Sequence, residues 1–397
     1  MERFDLPEAW EWRPLGDPEI AQINPKKSEV RSLPDGLEVT FVPMDAVSDG
    51  LGIITKPRTR SLSDVRKGYT YFAENDVIFA KITPCMENGK CAIARSLTNC
   101  VGFGSTEFHV FRAGPRTTPE WLYCLLRSQR LRSDAENAMT GASGQQRVPK
   151  DFLAEYEIPV PPIIVQQRLV ARIKAQTCRV ESIRKAQQEL IGEMRGVLAG
   201  YYADIAADAE WKPLSEVAPQ VRRPVSVQPG QSYPELGIRS FGKGTFHKPA
   251  ISAEQLGTKR LFHIHPGDLI FNNVFAWECA VAVVKPEDAG RVGSHRFITC
   301  VPKPTVATSP FLYFHFTTEK GLHDLGDASP GGAGRNRTLG LKNLAAIRVP
   351  VPSYDKQVVF ERLWEKVEAT RRLQAELKTD LDAYVPSILA KAFRGEL

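Results

Sequence analysis

The sequence of 397 residues lacks the signatures of several large functional classes. It has no run of about 18 or more apolar residues, so it predicts no membrane-spanning helix. A P-loop of the form GxxxxGK(S/T) is absent, and Gly242 and Gly244 lack a third glycine at the spacing of a dinucleotide-binding loop. The Asn-Pro-Pro-aromatic motif of amino-methyltransferases and the carboxylate cluster of metal-dependent nucleases are also missing. These absences argue against an enzyme.

Metal-binding and disulfide patterns are scarce as well. The seven cysteines form no CxxC pair and are odd in number, which predicts reduced, mostly packed thiols in a cytoplasmic protein. His263 and His265 would share one face of a strand, as metal ligands or as solvated or packed side chains. Because no third ligand is near them in the sequence, we favour the second interpretation and expect no metal site.

The formal net charge of +6, from 52 basic and 46 acidic residues, is unevenly divided. Residues 1–157 carry 20 basic and 22 acidic residues, a net of −2, whereas residues 210–348 carry 17 and 11, a net of +6. Residues 158–209 add 7 basic against 5 acidic residues, and residues 349–397 add 8 against 8. A basic balance favours polyanionic partners, but an excess of this size does not identify nucleic acid by itself.

The sequence repeats itself with a period of about 190 residues. Four pairs of short segments match in the same order: NDVIFAKI at Asn75 with GDLIFNNV at Gly267, GSTEF at Gly104 with GSHRF at Gly293, GASGQQRVPKDFLAEYEIPVPP at Gly141 with GGAGRNRTLGLKNLAAIRVPVPS at Gly331, and VLAGYY at Val197 with ILAKAF at Ile388. Their order and nearly constant spacing indicate two copies of one unit. Each copy is a globular domain followed by a helical arm.

The arms follow the proline-rich stretches IPVPP at Ile158 and VPVPS at Val349. Proline suits the first turn of a helix and forces the preceding residue to be extended, so each stretch predicts a rigid helix entry. Apolar residues then recur in steps of three and four, which predicts two long amphipathic helices packed antiparallel against each other. The residues assigned to this packing are Leu169, Ile173, Val180, Ile183, Leu190, Phe360, Leu363, Val367, Leu377 and Leu381. Gly192, Gly196 and Gly200 recur on one face, where they either permit close helix approach or simply weaken the helix.

The globular domains are predicted to be α/β and rich in strands. Short segments such as DVIFAKI, EFHVFR, DLIFNNV and RFITCVP are β-rich and bounded by glycine, proline or asparagine. Thr118–Pro119 and Ser309–Pro310 each predict the capped start of a helix. Two domains, two arms and no catalytic motif indicate a binding protein.

Three stretches together resemble the DNA-specificity subunit of Type I restriction–modification systems. They are the proline-rich helix entry with QQRLVARI, the segment DVIFAKITPCMENGK with GFGSTEFHV, and SILAKAFRGEL. The likeness covers nearly the whole chain, including the repeat. It is weaker in the second half, where the Lys-Ile-Thr-Pro-Cys-Met-Glu-Asn-Gly run is not kept, as expected if the two domains bind different sequences.

The resemblance implies an α/β fold of two target recognition domains, with strand-rich cores, separated by two long antiparallel helices in a pseudo-twofold internal repeat. The recognition domains would be residues 1–157 and 210–348, and the conserved helical arms residues 158–209 and 349–397. Each domain would bind one half of a split site on double-stranded DNA. The arms would bind two methyltransferase subunits, to which nuclease–translocase subunits add. S-adenosylmethionine, ATP and magnesium would belong to those partners, so this chain is expected to bind no cofactor and to be non-catalytic within an adenine methyltransferase and endonuclease complex.

Candidate DNA contacts are polar side chains at strand ends and in glycine-rich loops, because such side chains reach base edges in the major groove. In the first domain they are Lys81, Thr83, Ser105, Thr106, Gln145, Gln146 and Arg147. In the second domain they are Asn272, Asn273, His295, Arg296, Arg335, Asn336 and Arg337, of which the GGAGRNR loop is the strongest candidate. Arg58, Arg60, Arg239 and Lys243 are expected to contact phosphates, and Trp277 is expected to be a core residue rather than a stacking wedge.

Two alternatives remain open from the sequence. One is the specificity subunit of a modification-only or other DNA-defence complex, and the other is an autonomous sequence-specific DNA-binding regulator. A regulator would not need long apolar helices with surface left over for partners, whereas a specificity subunit should co-purify with two methyltransferase chains.

Overall fold

The computed structural model describes residues 4–50, 52–142, 144–331 and 337–397. The chain divides into two compact units: unit 1 contains Met1–Lys185 and Glu376–Leu397, and unit 2 contains Ala186–Ala375. Each of the two long helices therefore contributes one part to each unit.

The described residues of unit 1 form short strands, short helices, the start of the first long helix and the end of the second. The strands are β1 (Glu11–Pro14), β2 (Ala21–Ile23), β3 (Glu38–Val42), β4 (Arg58–Ser61), β5 (Thr70–Ala73), β6 (Val77–Ala80), β7 (Cys91–Ile93), β8 (Val101–Gly104), β9 (Phe108–Ala113) and β10 (Glu157–Val160). The helices are α1 (Leu62–Val65), α2 (Pro119–Arg127), α3 (Gln129–Asn137), α4 (Lys150–Glu155) and the long α5 (Ile163–Ala207), with 3-10 turns at Lys27–Val30, Met44–Ala46 and Thr98–Cys100.

Unit 2 repeats this order of elements. Its strands are β11 (Glu210–Pro213), β12 (Gln220–Val221), β13 (Ser232–Ile238), β14 (Thr245–Ser252), β15 (Leu261–His263), β16 (Leu269–Asn272), β17 (Val281–Val283), β18 (Val292–Ser294), β19 (Phe297–Cys300) and β20 (Arg348–Val351). Its helices are α6 (Leu214–Val217), α7 (Ala253–Leu256), α8 (Ser309–Thr317), α9 (Glu319–Asp327), α10 (Leu341–Ala346) and the long α11 (Tyr354–Arg394), with 3-10 turns at Ala276–Glu278 and Pro286–Asp288.

The sheets of the two units have the same topology. In unit 1 the sheets have the strand orders β2-β9-β6-β7 and β4-β3-β8-β5, and β1 pairs with β10. In unit 2 the orders are β12-β19-β16-β17 and β14-β13-β18-β15, and β11 pairs with β20. The parallel pair is β3 with β8 in one unit and β13 with β18 in the other. The fold class expected from the sequence is confirmed: the chain is mixed α/β, with strand-rich sheets and two long helices.

The repeated motif DVIFA/DLIFN forms the central strand of a sheet that is covered on both faces. Val77 and Phe79 of β6 point into the cluster around Trp121, whereas Ile78 belongs to a second cluster with Phe72 and Val110. Strand β16 divides its side chains in the same way between two clusters. A strand buried on both faces needs an unbroken apolar run, which explains why this stretch is among the best matches between the repeats.

An aspartate precedes this strand in both units and holds a turn. Asp76 accepts the backbone N–H of Ala73 at 2.7 Å and two hydrogen bonds from Arg112, both at 2.8 Å. Asp268 accepts the N–H of His265 at 2.8 Å and two bonds from Arg223, at 2.7 and 3.2 Å. Both carboxylates are buried, and paired hydrogen bonds from a guanidinium satisfy a buried carboxylate well.

A buried glutamine in the first turn of each long helix joins that helix to its globular domain. The Gln166 side chain accepts the N–H of Thr118 at 3.0 Å and donates to the carbonyl oxygens of Arg116 and Pro161, both at 2.8 Å. Gln357 accepts the N–H of Thr308 at 3.1 Å. It donates to the carbonyl oxygens of Val306 and Pro352 at 3.0 and 2.9 Å. We refer to these two sets of contacts as the glutamine anchors.

The proline-rich stretches are only partly helix entries. Residues Glu157–Val160 and Arg348–Val351 are strands, each paired antiparallel with the strand that opens its domain. Proline fits there because each of these sheets has only two strands, so every strand is at an edge. The remaining residues lead into the helix, where the carbonyl oxygen of Pro162 accepts the first helical hydrogen bonds from Val165 and Gln166.

Within each unit, the parts of the two long helices run antiparallel. In unit 1 the Tyr384 hydroxyl donates to Gln176 Oε1 at 3.2 Å, and Arg184 pairs with Asp382 at 2.5 Å. In unit 2 Gln374 donates to the Gln187 carbonyl oxygen at 2.9 Å. These contacts agree with the antiparallel pairing expected from the apolar stripes.

The residues assigned to packing between the two long helices differ in their burial. Leu169, Ile173, Val180, Phe360 and Val367 are buried, and Leu363 and Leu381 are half-buried. Three other residues assigned to this packing, Ile183, Leu190 and Leu377, are exposed. An added Cβ at Gly192, Gly196 or Gly200 would meet no heavy atom within 4 Å among the described residues, so these glycines make no close helix contact there.

No helix in the described part of the chain is long and apolar enough to cross a membrane.

Candidate nucleic-acid interface

Three groups of predicted residues in unit 1 come together beside the end of β6. The N–H of Lys81 donates to the carbonyl oxygen of Glu107 at 2.9 Å, and the Lys81 carbonyl oxygen accepts the N–H of Val148 at 2.9 Å. The N–H of Thr83 donates to the carbonyl oxygen of Gln146 at 3.0 Å. Residues 81–83, 105–107 and 145–148 therefore form one surface, which we call junction 1. It contains every candidate for base contacts in the first domain: Lys81, Thr83, Ser105, Thr106, Gln145, Gln146 and Arg147.

The same arrangement recurs in unit 2 at the end of β16. The N–H of Asn273 donates to the carbonyl oxygen of Arg296 at 2.8 Å, and the Asn273 carbonyl oxygen accepts the N–H of Leu339 at 2.7 Å. Residues 272–273, 295–296 and 337–339 form junction 2, with Asn272, Asn273, His295, Arg296 and Arg337 at its surface. By these hydrogen bonds Asn273 occupies the place of Lys81. The candidates Arg335 and Asn336 lie outside the described residues.

Not all side chains of junction 1 are available as free donors. The Arg147 guanidinium makes two hydrogen bonds of 2.9 Å with the Glu107 carboxylate. The hydrogen bonds from Arg147 are the main reason why the pKa of Glu107 lies below its usual value. The Thr83 hydroxyl donates to Glu87 Oε1 at 2.6 Å. Ser105, Thr106 and Gln145 lie at the surface, Thr106 and Gln145 being exposed.

A buried histidine fixes the loop that carries Gln145–Arg147, and the sequence did not point to it. His109 Nε2 donates to the carbonyl oxygen of Val148 at 2.9 Å, and its Nδ1 accepts from Asn24 at 3.2 Å. Burial lowers the pKa of His109 below its ordinary value, which keeps the ring neutral. Both His109 and Glu107 belong to the stretch GSTEFHV, so the signal was present in the sequence without an indication of the partners.

Junction 2 differs in having an arginine over a half-buried aromatic ring. The Arg337 guanidinium lies 5.3 Å from the centre of the Trp277 ring, and the Trp277 indole N–H donates to the Val274 carbonyl oxygen at 3.0 Å. Trp277 is half-buried rather than part of the core. Asn273 Oδ1 is buried and has no hydrogen-bond partner among the described residues. Because a buried polar atom without a partner costs free energy, this amide is a candidate to accept a ligand group.

The two predicted phosphate contacts of unit 2 lie on the hairpin that joins β13 and β14. Arg239 and Lys243 are both exposed there. In unit 1 the Arg60 guanidinium lies 4.3 Å from the centre of the Phe41 ring on the corresponding strands. In both units an arginine therefore lies over an aromatic ring of the neighbouring strand: Arg60 of β4 over Phe41 of β3, and Arg239, which directly follows β13, over Phe246 of β14.

The molecule is therefore a duplicated α/β protein in which each unit gathers polar side chains at a strand end and continues into a long helix. Comparison with known proteins shows which proteins the chain is similar to. Residues 7–191 match the family model described as Type I restriction modification DNA specificity domain. The resemblance to Type I specificity subunits noted in the sequence is thereby confirmed.

Two curated relatives and two solved structures are similar to the chain. The Escherichia coli Type I restriction enzyme EcoEI specificity subunit is 41% identical over 168 residues, which cover 42% of this chain and 27% of that protein. The Escherichia coli EcoAI specificity subunit is 34% identical over 221 residues, covering 54% of this chain and 37% of that protein. The matched regions thus span about a quarter to just over a third of the relatives' lengths.

The structural matches concern the whole fold. The crystal structure of the HsdS subunit from Thermoanaerobacter tengcongensis has a TM-score of 0.58 at 20% identity and covers 99% of both chains. A chain from a structural study of complex assembly and conformational transition of the type I R-M system has a TM-score of 0.66 at 20% identity and covers both chains completely. At this identity the matches establish the fold.

Proposed function

We propose that the chain is the non-catalytic DNA-recognition subunit of a Type I restriction–modification complex. Residues 1–157 and 210–348 are the two recognition domains, and each binds one half of a bipartite site on double-stranded DNA. The observation that carries this proposal is the recurrence of one strand-end surface, junction 1 and junction 2, with different side chains on the same backbone frame. The same backbone arrangement with different polar side chains is what we expect of two domains that bind different base sequences.

Residues 158–209 and 349–397 space the two domains and bind partner subunits in this proposal. Ile164, Val197 and Leu373 are each more than half exposed on the long helices. Apolar side chains that remain uncovered on a helix support a docking role for protein partners. We propose two methyltransferase subunits as these partners, joined by nuclease–translocase subunits, with the adenine methylation and DNA cleavage carried out by them in the cytoplasm.

The proposal predicts a target with two parts. The full-length chain is incubated with duplexes of random sequence, and the bound duplexes are sequenced. We expect two conserved blocks separated by a gap of fixed length. In the double variant Arg335→Ala/Arg337→Ala, we expect one block to become degenerate and the affinity for the wild-type target to fall by at least about 30-fold, since good arginine contacts to bases contribute about 1–3 kcal/mol each and two are removed.

The control for this experiment is Lys303→Ala. Lys303 is an exposed basic residue of the same unit that lies beyond the opposite end of β19 from Arg296. Its replacement should leave both blocks intact and change the affinity by less than about 3-fold, as for a solvated charge. Selection of no common sequence by the wild-type chain would refute the function, and equal weakening of both blocks by the arginine variant would refute the assignment of that loop to one half-site.

A further inference from the structure

The hairpin between β13 and β14 presents one large apolar side chain to solvent. The last strand pair is Ile238 with Thr245, and the N–H of Arg239 donates to the Gly244 carbonyl oxygen at 2.9 Å. Residues 239–244 therefore form a short, closed tip. At this tip Phe241 is 71% exposed, more than any other aromatic residue that the structure describes.

The backbone of the tip holds Phe241 in an unfavourable conformation. Its φ angle is +62°, a left-handed value that bulky residues rarely adopt. Three hydrogen bonds fix this geometry: Phe241 N–H to the Glu278 carbonyl oxygen at 2.7 Å, Gly242 N–H to that of Cys279 at 2.9 Å, and the Tyr313 hydroxyl to that of Gly242 at 2.8 Å. The tip is thus rigid, and its exposed ring gains nothing from burial within the described chain.

The basic side chains around the Phe241 ring favour the binding of a polyanion. Lys243 Nζ lies 5.8 Å from the centre of the Phe241 ring. Arg239 and Lys248 stand 5.0 and 6.0 Å from the centre of the next aromatic ring, that of Phe246. Two carboxylates contact the hairpin and are both engaged there: Glu278 accepts from the Ser240 hydroxyl at 3.0 Å, and Asp288 accepts from the Thr245 hydroxyl at 2.9 Å. Basic side chains interleaved with aromatic rings are the pattern of nucleic-acid surfaces that stack on bases.

The tip is continuous with junction 2. Glu278 and Cys279, whose carbonyl oxygens hold the tip, belong to the loop that begins at Asn272 and Asn273. The two corresponding strands of unit 1, β3 and β4, are joined by residues 43–57, a longer connection without the same short hairpin. The exposed ring is therefore a property of unit 2.

We propose that Phe241 is a stacking residue that inserts against a base step in the half-site bound by unit 2. The proposal rests on the proposed DNA-recognition function and extends it. Arg239 and Lys243 would hold the flanking phosphates while the ring replaces stacking between neighbouring bases, as apolar wedges do in other DNA-binding proteins. No bond is made or broken in this step.

The test uses the full-length chain and a duplex of about 40 base pairs carrying a sequence that this chain selects from a random pool. Equilibrium affinity is measured at two salt concentrations for the wild type, Phe241→Ala, Phe241→Trp and Lys243→Ala. We expect Phe241→Ala to weaken binding by about 10-fold at both salt concentrations, because base stacking is not electrostatic. Phe241→Trp should stay within about 3-fold of the wild type. Lys243→Ala should lower the salt slope by about one.

A second readout is 2-aminopurine placed at single positions in the half-site of unit 2. The wild type should raise its fluorescence at one step by unstacking it, and Phe241→Ala should not. Because the side chain is exposed, all variants should melt at the wild-type temperature. If Phe241→Ala binds DNA within 2-fold of the wild type, the proposal is wrong even though the chain recognises DNA. A loss confined to low salt, or a tryptophan variant that behaves like alanine, would also overturn it. If the wild-type chain selects no duplex, both the proposed function and this inference fail.

Discussion

Replacement of Gln166 by alanine is expected to lower the free energy of unfolding by about 4 kcal/mol. The Gln166 side chain is fully buried and satisfies three backbone groups at once: the N–H of Thr118 and the carbonyl oxygens of Arg116 and Pro161. Alanine leaves all three groups without a partner, and each unsatisfied buried group costs about 1–3 kcal/mol. Gln357→Ala should have an effect of similar size, because its anchor repeats the same three contacts in unit 2.

The measurement is urea denaturation of the full-length chain, followed by tryptophan fluorescence. Gln167→Ala is the matched control, since Gln167 is the adjacent residue of the same type in the same helix and is exposed. Gln167→Ala should change the free energy of unfolding by no more than about 0.5 kcal/mol. If Gln166→Ala is as mild as this control, the glutamine anchors do not hold the helices to the domains.

Acidification is expected to cost unit 2 about 3 kcal/mol of stability through His315 alone. His315 is fully buried, and its Nδ1 shares a hydrogen bond with the Tyr202 hydroxyl at 2.7 Å. Its Nε2 has no hydrogen-bond partner among the described residues. Burial lowers the pKa of His315 to about 4, from an ordinary value of 6.5.

The direction of the effect follows from this lowered pKa. Between pH 6.5 and pH 4 the unfolded chain binds a proton at His315 that the folded chain does not bind. The stability is therefore fully present above pH 6.5 and is lost as the pH falls to about 4. A difference of about 2.5 pKa units corresponds to about 3 kcal/mol.

The variant His315→Asn removes this titration while keeping a side-chain amide that can donate to or accept from Tyr202. Its free energy of unfolding should fall by about 3 kcal/mol less than that of the wild type between pH 7 and pH 4. His323→Asn is the control, because His323 is exposed on the neighbouring helix α9. It should retain the wild-type pH profile. An identical pH profile for His315→Asn and the wild type would contradict the assignment.

The local features of the chain were predictable from its sequence. The repeat, the β-rich strands, the capped start of α2 at Thr118 and the two long helices depend on residues close together in the chain, for which periodicity and capping are informative. One error of alignment between the repeats shows the limit of such local signals. The sequence made Ser309 the equivalent of Thr118, whereas the glutamine anchors make Thr308 its equivalent. Both threonines precede a helix, and only the contact with a distant glutamine distinguishes the true equivalent.

The contacts that build the site were not predictable, because their partners are far apart in sequence. Each candidate group of junction 1 was found separately, but their association depends on backbone hydrogen bonds between residues 81, 107 and 148. The ion pair of Arg147 with Glu107 and the bond from His109 to Val148 have the same origin. Phe241 was not predicted as a site residue, because the sequence alone does not show that a phenylalanine between serine and glycine is exposed to solvent.

The most direct test of the proposed function is to map methylated adenines in the genomic DNA of cells that carry the complete system, with and without this chain. We predict one methylated motif made of two specific blocks separated by a fixed gap, which disappears when the chain is removed. A motif that persists without the chain, or a single continuous motif that depends on it, would contradict the assignment of each unit to one half of a bipartite target.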